Sequence, residues 1–360
     1  MKKVNLYDLG LSEKHIQESK ILDENLMIAR VSVQYRDLYK VIMENGEIFA
    51  QVSGKMSYFS KDSIQYPAVG DWVLVDRDTD INGHAIIHHI LTRKSCFERK
   101  IAGLKSDSQI IATNVDTVFI CMSLNNDFNI RRLERYIAVA WESMATPVVV
   151  LTKSDLCEDI QQKLLEIGTV AMGVDVLVTS SILEEGYSSI QKYIENGRTV
   201  AFIGSSGVGK STLINKLIGE EVLKTNGIRD DHKGKHTTTH RQLFVVPNLG
   251  VIIDTPGMRE LGIVSADLER SFDDIEKIAK DCKFTDCKHE GEPHCAVREA
   301  IEKGDLDIER LKSYKKLQRE LKYNELRANQ LEREKIKEMF GSKGAMKQTR
   351  DFIKNKNSRR

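Results

Sequence analysis

Apolar and polar positions change their spacing twice along the chain, which divides it into three stretches. Between Met27 and Phe97 the apolar residues come in short runs, such as Met27 to Val33, Leu38 to Met43 and Asp71 to Asp76. Gly46, Gly54, Gly70 and Gly83 separate the runs, with Pro67 ahead of one of them, and this pattern predicts a small β-barrel or sandwich. From Asn114 to Gly262 apolar strands alternate with amphipathic helices. Strands are expected at Val115–Cys121, Pro147–Leu151, Val176–Val178, Val200–Ile203, Leu243–Val246 and Val251–Ile253. Helical spacing lies between them at Ile130–Ser143, Cys157–Ile167, Ser188–Glu195 and Lys210–Ile218, so a mostly parallel sheet with helices on both faces follows. After Ser265 the pattern is helical, over Ala266–Lys280 and Leu306–Phe340, the latter with Leu311, Tyr314, Leu317 and Leu321 on one face.

Composition adds limits to this picture. The 360 residues carry 54 Lys and Arg against 53 Asp and Glu, a net charge of +1 that excludes a uniformly basic nucleic-acid coat. Charge is nevertheless segregated: the last twenty residues hold Lys343, Lys347, Arg350, Lys354, Lys356, Arg359 and Arg360 against Asp351 alone, whereas 267–274 is acidic. With 41% hydrophobic residues there is material for two or three cores. Six cysteines are too few for a disulfide scaffold, and no apolar run reaches the roughly 18 residues of a membrane helix. A cytoplasmic protein that does not touch the membrane is expected.

The sharpest motif is Gly204-Ser205-Ser206-Gly207-Val208-Gly209-Lys210-Ser211-Thr212, which follows the strand ending at Ile203 and opens a helix. It fits G-x-x-x-x-G-K-[ST]. Backbone N–H groups and the helix N-terminus would cradle a β-phosphate, Lys210 would neutralise the β- and γ-phosphates, and Ser211 would reach Mg²⁺. Asp254-Thr255-Pro256-Gly257 follows another strand; Asp254 suits the Mg²⁺ shell, and Gly257 the approach of its N–H to a γ-phosphate. Thr152-Lys153-Ser154-Asp155 also ends a strand. The Asp155 carboxylate there can accept the N1–H and N2–H donors of guanine while the Lys153 stem covers the purine, which selects GTP over ATP. Thr152 stands where Asn is usual, a departure expected to weaken the support of this loop. Thr179-Ser180-Ser181 ends the next strand and would back the base through Ser180.

The base motif precedes the phosphate motif, the reverse of the ordinary GTPase order, so the domain is expected to be circularly permuted. Cys282, Cys287, His289 and Cys295 form C-x4-C-x-H-x5-C, a donor set for a closed structural Zn²⁺ site, with His294 as a competing ligand. Tyr35, Tyr39, Phe49, Tyr58, Tyr66 and Trp72, interspersed with Arg36, Lys40 and Lys55, make the β-module a candidate RNA-binding surface.

Through Pro67-Ala68-Val69-Gly70-Asp71, Thr152 to Asp155, Gly204 to Thr212, Gly234-Lys235-His236-Thr237-Thr238-Thr239, Asp254 to Gly257 and the Cys/His cluster, the chain resembles the circularly permuted bacterial GTPases called RsgA, YjeQ or YloQ. The resemblance spans roughly Met27 to Tyr323. It implies an N-terminal extension (1–26), an OB-fold β-barrel (27–98), a circularly permuted α/β P-loop GTPase domain (112–264), a zinc-binding α-helical domain (265–340) and a basic tail (341–360). It further implies GTP hydrolysis stimulated by the small ribosomal subunit and a role in late maturation of that subunit, with rRNA, GTP and GDP as partners, and we expect a monomer. Gly234 to Thr239 sits where switch I belongs; Thr238, or Thr237 or Thr239 beside it, would complete the Mg²⁺ shell. Met258 replaces the glutamine that commonly orients water, so intrinsic turnover should be slow, with His236 as the candidate for positioning or deprotonating water. Two rivals stand beside the GTPase: a GTP-gated rRNA-binding module whose hydrolysis is incidental, and a P-loop metabolic kinase.

Overall fold

A computed structural model describes residues 3–59, 63–79, 81, 83–100, 108–125, 127–183, 186–195, 197–223, 241–246, 249–254 and 265–340. A short 3-10 turn and α1 (Glu13–Leu22) come first, then β1 (Met27–Gln34), β2 (Tyr39–Met43), β3 (Gly46–Val52), α2 (Gly54–Phe59), β4 (Trp72–Val75) and β5 (Ala85–Ile90). The strands pair in the order β1-β2-β3-β5-β4, and β4 returns to β1, which closes a five-stranded barrel. Alternation puts Ala29, Val31, Val41, Ala50, Val73, Val75, Ala85 and Ile87 inside it. Tyr39 and Trp72 are also buried, at 3% and 1% exposure, and therefore cannot stack on bases as the sequence reading allowed. Tyr58, on α2, is 83% exposed.

A hairpin of β6 (Cys96–Lys100) and β7 (Ser108–Thr113) leads to β8 (Thr117–Ser123), α3 (Ile130–Glu142), β9 (Thr146–Thr152), α4 (Ile160–Gly168), β10 (Asp175–Val178), α5 (Tyr187–Gln191), β11 (Thr199–Ile203), α6 (Lys210–Ile218), β12 (Gln242–Val245) and β13 (Val251–Asp254). Pairing is parallel through β10-β9-β8-β11-β13, with β12 antiparallel to β13 and joined in turn to β1 of the barrel at Val33 and Gln242. The strands are apolar on both faces because both are covered. Ile120, Val149, Ala201 and Ile253 face α3, whereas Phe119, Val148, Val200, Phe202 and Ile252 share a core with Leu213, Ile214 and Leu217 of α6.

The Pro67 to Asp71 turn joins barrel and sheet domain. Gly70 has φ 98°, and a Cβ there would lie 2.3 Å from the Thr113 carbonyl oxygen, so this approach requires glycine. Asp71 is fully buried, accepts from the Ala68 N–H and is gripped twice by Arg93, at 2.8 and 2.7 Å. Buried Arg30 reaches the Leu9 carbonyl, the Gly70 carbonyl and, at 2.8 Å, the Thr199 hydroxyl at the start of β11. The N-terminal segment is thus part of the packing: Leu6, Leu9 and His15 are buried, and the His15 ring lies 5.5 Å from that of Trp72.

The C-terminal helices are α7 (Leu268–Ser271), α8 (Asp273–Ala279), α9 (Ala296–Lys303) and α10 (Ile308–Phe340). The single helix expected over Ala266–Lys280 is broken at Phe272, whose ψ of 36° swings its ring into the core, 5.3 Å from that of Tyr314. Phe272, Ile275, Val297, Leu311, Tyr314 and Leu317 join the core on the α3 side of the sheet. Among the described residues no helix is long and apolar enough to cross a membrane.

Candidate nucleotide and metal sites

In a parallel sheet all strands end at one edge, and loops there meet where the strand order reverses. Here β11 sits between β8 and β13, with β9 and β10 beyond β8, so Thr152, Ser180, Gly204 and Asp254 come from neighbouring strand ends. The phosphate loop leaves β11 at Gly204 with φ 141°, and a Cβ at that position would meet the Cys121 carbonyl oxygen at 2.3 Å. Gly207 and Gly209 also have positive φ, and Gly209 caps α6, which begins at Lys210 and carries Ser211 and Thr212 in its first turn. Val208 points into the core, whereas Ser206 and Gly207 are exposed. The Lys210 ammonium donates to the carbonyls of Gly204 (2.8 Å) and Ser205 (2.7 Å), which holds it across the mouth of its own loop.

The base motif is bound to the phosphate loop directly. Where an amide is usual, the buried Thr152 hydroxyl donates to the Val208 carbonyl at 2.5 Å, so the expected weakness of this loop is replaced by a hydrogen bond across 56 residues. Lys153 adopts φ 57° and starts a 3-10 turn, and the Ser154 N–H bonds the Thr179 carbonyl. The Ser180 hydroxyl, fully buried, donates to the Asp155 carboxylate at 2.5 Å and accepts from the N–H groups of Ile182 and Leu183. One carboxylate is thereby aimed by the neighbouring strand's loop. Asp254 ends β13, 9% exposed, in register with Phe202 two residues before Gly204. The Ser211 hydroxyl, in the first turn of α6, and the Asp254 carboxylate, at the end of β13, are hard oxygen donors suited to Mg²⁺.

His236, Thr238 and Gly257, together with Thr237, Thr239 and Met258, lie outside the described residues. One buried polar group left no trace in the sequence patterns: Tyr136 of α3 is 2% exposed, and burial pushes its phenol above the ordinary tyrosine value. Its signal, an aromatic on the buried face of an amphipathic helix, is that of any core residue.

Cys282, Cys287, His289 and Cys295 offer ligand atoms that all lie within 4.8 Å of one another. The Sγ atoms of Cys282 and Cys295 are 3.9 Å apart, and His289 Nδ1 lies 3.7 and 3.4 Å from them. A tetrahedral Zn²⁺ with bonds of about 2.3 Å to sulfur and 2.0 Å to nitrogen requires edges of ~3.8 and ~3.5 Å, so the spacing is compatible with zinc. His294 is exposed and contributes its backbone carbonyl to the Lys283 N–H, which leaves His289 as the imidazole of the cluster. All six cysteines are free thiols.

A central β11 with its phosphate loop, preceded in the chain by the strands that carry the base motif, defines a circularly permuted P-loop GTPase with a barrel before it and helices after it. The family model described as RsgA GTPase matches residues 90–264. A model described as ABC transporter matches 187–356, a range that contains the phosphate loop common to P-loop ATPases and GTPases but excludes Thr152 to Asp155. A small ribosomal subunit biogenesis GTPase RsgA 2 of Lactiplantibacillus plantarum is 49% identical over 96% of this chain and 98% of its own length. An RsgA 1 of Oceanobacillus iheyensis is 47% identical over 84% of this chain and 87% of its own. Among solved structures, YjeQ from Thermotoga maritima superposes with a TM-score of 0.60 at 26% identity, over 82% of this chain and 98% of that one. YloQ, described as a circularly permuted GTPase, gives 0.60 at 25% identity, over 83% and 96%. The chain belongs to the RsgA family of GTPases.

Proposed function

We propose that this protein binds the small ribosomal subunit in the cytoplasm, assists its late maturation and hydrolyses GTP to GDP and phosphate to time its own release. The observation that carries this reading is the convergence of Asp155, the Gly204 to Thr212 loop and Asp254 at one sheet edge, in a chain that matches ribosome-biogenesis GTPases nearly end to end. Asp155 and Lys153 take the guanine, with Ser180 orienting the carboxylate. The main chain from Gly204 to Thr212 wraps the β-phosphate, and Lys210 exchanges its two carbonyl partners for phosphate oxygens. Ser211, Asp254 and Thr238 would hold Mg²⁺, which supplies charge neutralisation at the β- and γ-phosphates. The Gly257 N–H meets the γ-phosphate, and His236 positions water once the partner is engaged. One Zn²⁺ would sit on Cys282, Cys287, His289 and Cys295, where it fixes an element too small for its own core. Exposed Tyr58, neighbouring Lys55 and the cationic tail contact rRNA.

GTP turnover with and without purified small subunits tests this. Strong stimulation is expected. Binding that depends on GTP without any stimulation would favour the rRNA-binding module, and tighter ATP than GTP binding would favour the kinase. Unchanged stimulated turnover in His236→Ala would remove that residue from the mechanism, and subunit affinity that ignores salt would remove the rRNA contact.

A further inference from the structure

Two histidines lie within reach of the three cysteines in sequence, and their backbones do not choose between them. His289 and His294 both adopt the left-handed conformation, each with φ 57°, which costs free energy in any residue that carries a Cβ. The stretch around His289 is braced from within the loop. The Glu292 carboxylate accepts from the Lys288 N–H at 2.9 Å through one oxygen, and from the N–H groups of Glu290 at 2.8 Å and Gly291 at 3.0 Å through the other. These donors stand on both sides of His289 in the chain. Together they pull the Glu292 carboxyl down to about 2, so the brace is an anion.

A second brace comes from α10. The Lys315 ammonium reaches the His289 carbonyl at 3.2 Å and the Glu290 carboxylate at 3.5 Å. Lys315 follows Tyr314, which belongs to the core, so this contact ties the loop to the packed part of the helix. His294 is exposed, and its carbonyl accepts from the Lys283 N–H at 3.3 Å, which closes the loop through main chain. Bonds from main-chain N–H groups to a carboxylate are charge-assisted and stronger than neutral ones. Both Glu292 oxygens are engaged by main chain, so any influence of Glu292 on a bound ion runs through the path of the backbone at His289. A ligand on a short loop gains affinity when the groups behind it fix its direction before the ion arrives.

We propose that Glu292 is a positioning residue for zinc: its carboxylate fixes the main chain of 288–291 so that His289, and not His294 beside Cys295, supplies the imidazole. The inference rests on the reading of the Cys/His cluster as a Zn²⁺ site.

The test is the zinc affinity of the full-length chain by competition with a chromophoric chelator, with the ligand-field spectrum of the Co²⁺-substituted chain as a second readout. Guanine-nucleotide binding, sited elsewhere, confirms that each variant is folded. A chain that takes up no zinc would overturn the zinc reading and this inference together; a chain that takes it up isolates the inference. Glu292→Ala is expected to weaken zinc roughly 10- to 100-fold. Glu292→Gln, which keeps the shape and one acceptor oxygen, should fall between that variant and the parent, and it serves where the alanine variant does not fold. His294→Ala alone should keep the parental affinity. In the Glu292→Ala background His294 is free to substitute, so its removal there should cost roughly threefold or more, and the Co²⁺ bands should shift with Glu292→Ala and again with the double variant. Parental zinc affinity in both Glu292 variants, a loss in His294→Ala alone, or no further loss in the double variant would overturn the proposal.

Discussion

The nucleotide site and the metal site are built by opposite strategies. The first draws on the ends of β9, β10, β11 and β13, and its loops are tied to one another by Thr152 to Val208 and Ser180 to Asp155. The second is confined to residues 282–295, where Cys295 is the one buried ligand of the four and Phe284 is 40% exposed. A site hung from a sheet core keeps its shape without its ligand, because burial of the strands has already fixed the loop ends. A short knuckle with little apolar surface has no such reserve, so ligation has to supply its folding free energy. The difference teaches which ligand is scaffold and which is cargo.

Four substitutions press on this contrast. The largest effect is expected from Cys287→Ser. Metal content should fall from about one zinc per chain to none, and 282–317 should lose hydrogen-exchange protection, since structural zinc contributes on the order of 10 kcal/mol. Guanine nucleotide should still bind, within about tenfold of the parent affinity; a zinc stoichiometry that survived the change would remove Cys287 from the site. Lys210→Ala should reverse the pattern, weakening GTP at least about 100-fold by titration calorimetry while zinc content and melting temperature hold.

Asp155→Asn should act on the base alone. An amide presents a donor where guanine also presents one, whereas xanthine has an acceptor at that position, so preference should move from GTP toward xanthosine triphosphate by roughly 10- to 100-fold. Retained GTP preference in competition binding would show that the carboxylate does not read the base. The smallest effect belongs to Thr152→Val, which keeps shape but leaves the Val208 carbonyl without this donor. We expect a loss of about 1 kcal/mol in nucleotide binding, roughly fivefold, and no change in zinc.

Much of both sites was legible in the sequence because their signals are local. Nine consecutive residues spell the phosphate loop, four the base motif, and the Cys/His spacing fits inside one turn region. The parallel sheet could be read from strands that are apolar on both faces, and the barrel from short runs between glycines. What stayed hidden depends on distant partners. Nothing near Arg310 announces Glu134, 176 residues earlier. Residues 1–26 looked like an extension because Leu6, Leu9 and His15 are too sparsely spaced to form a periodic pattern, yet they pack against the barrel and the sheet. The break at Phe272 was invisible for the same reason: the ring it packs against, Tyr314, belongs to another helix.

The central place of β11 has a consequence for how the chain is made. Its neighbour β8 is synthesised first: Thr117 pairs with Val200, roughly 80 residues later. At about 5–20 residues per second, the edge of β8 waits roughly 4 to 16 s before β11 emerges and pairs with it. During that interval the β8-β9-β10 half-sheet carries an uncovered, hydrophobic strand edge, the feature that invites pairing with other chains. Permutation thus sets the order of assembly at the ribosome's exit: the base-reading half of the pocket waits for its phosphate-holding half, and α3 and the barrel are the shields available in the meantime.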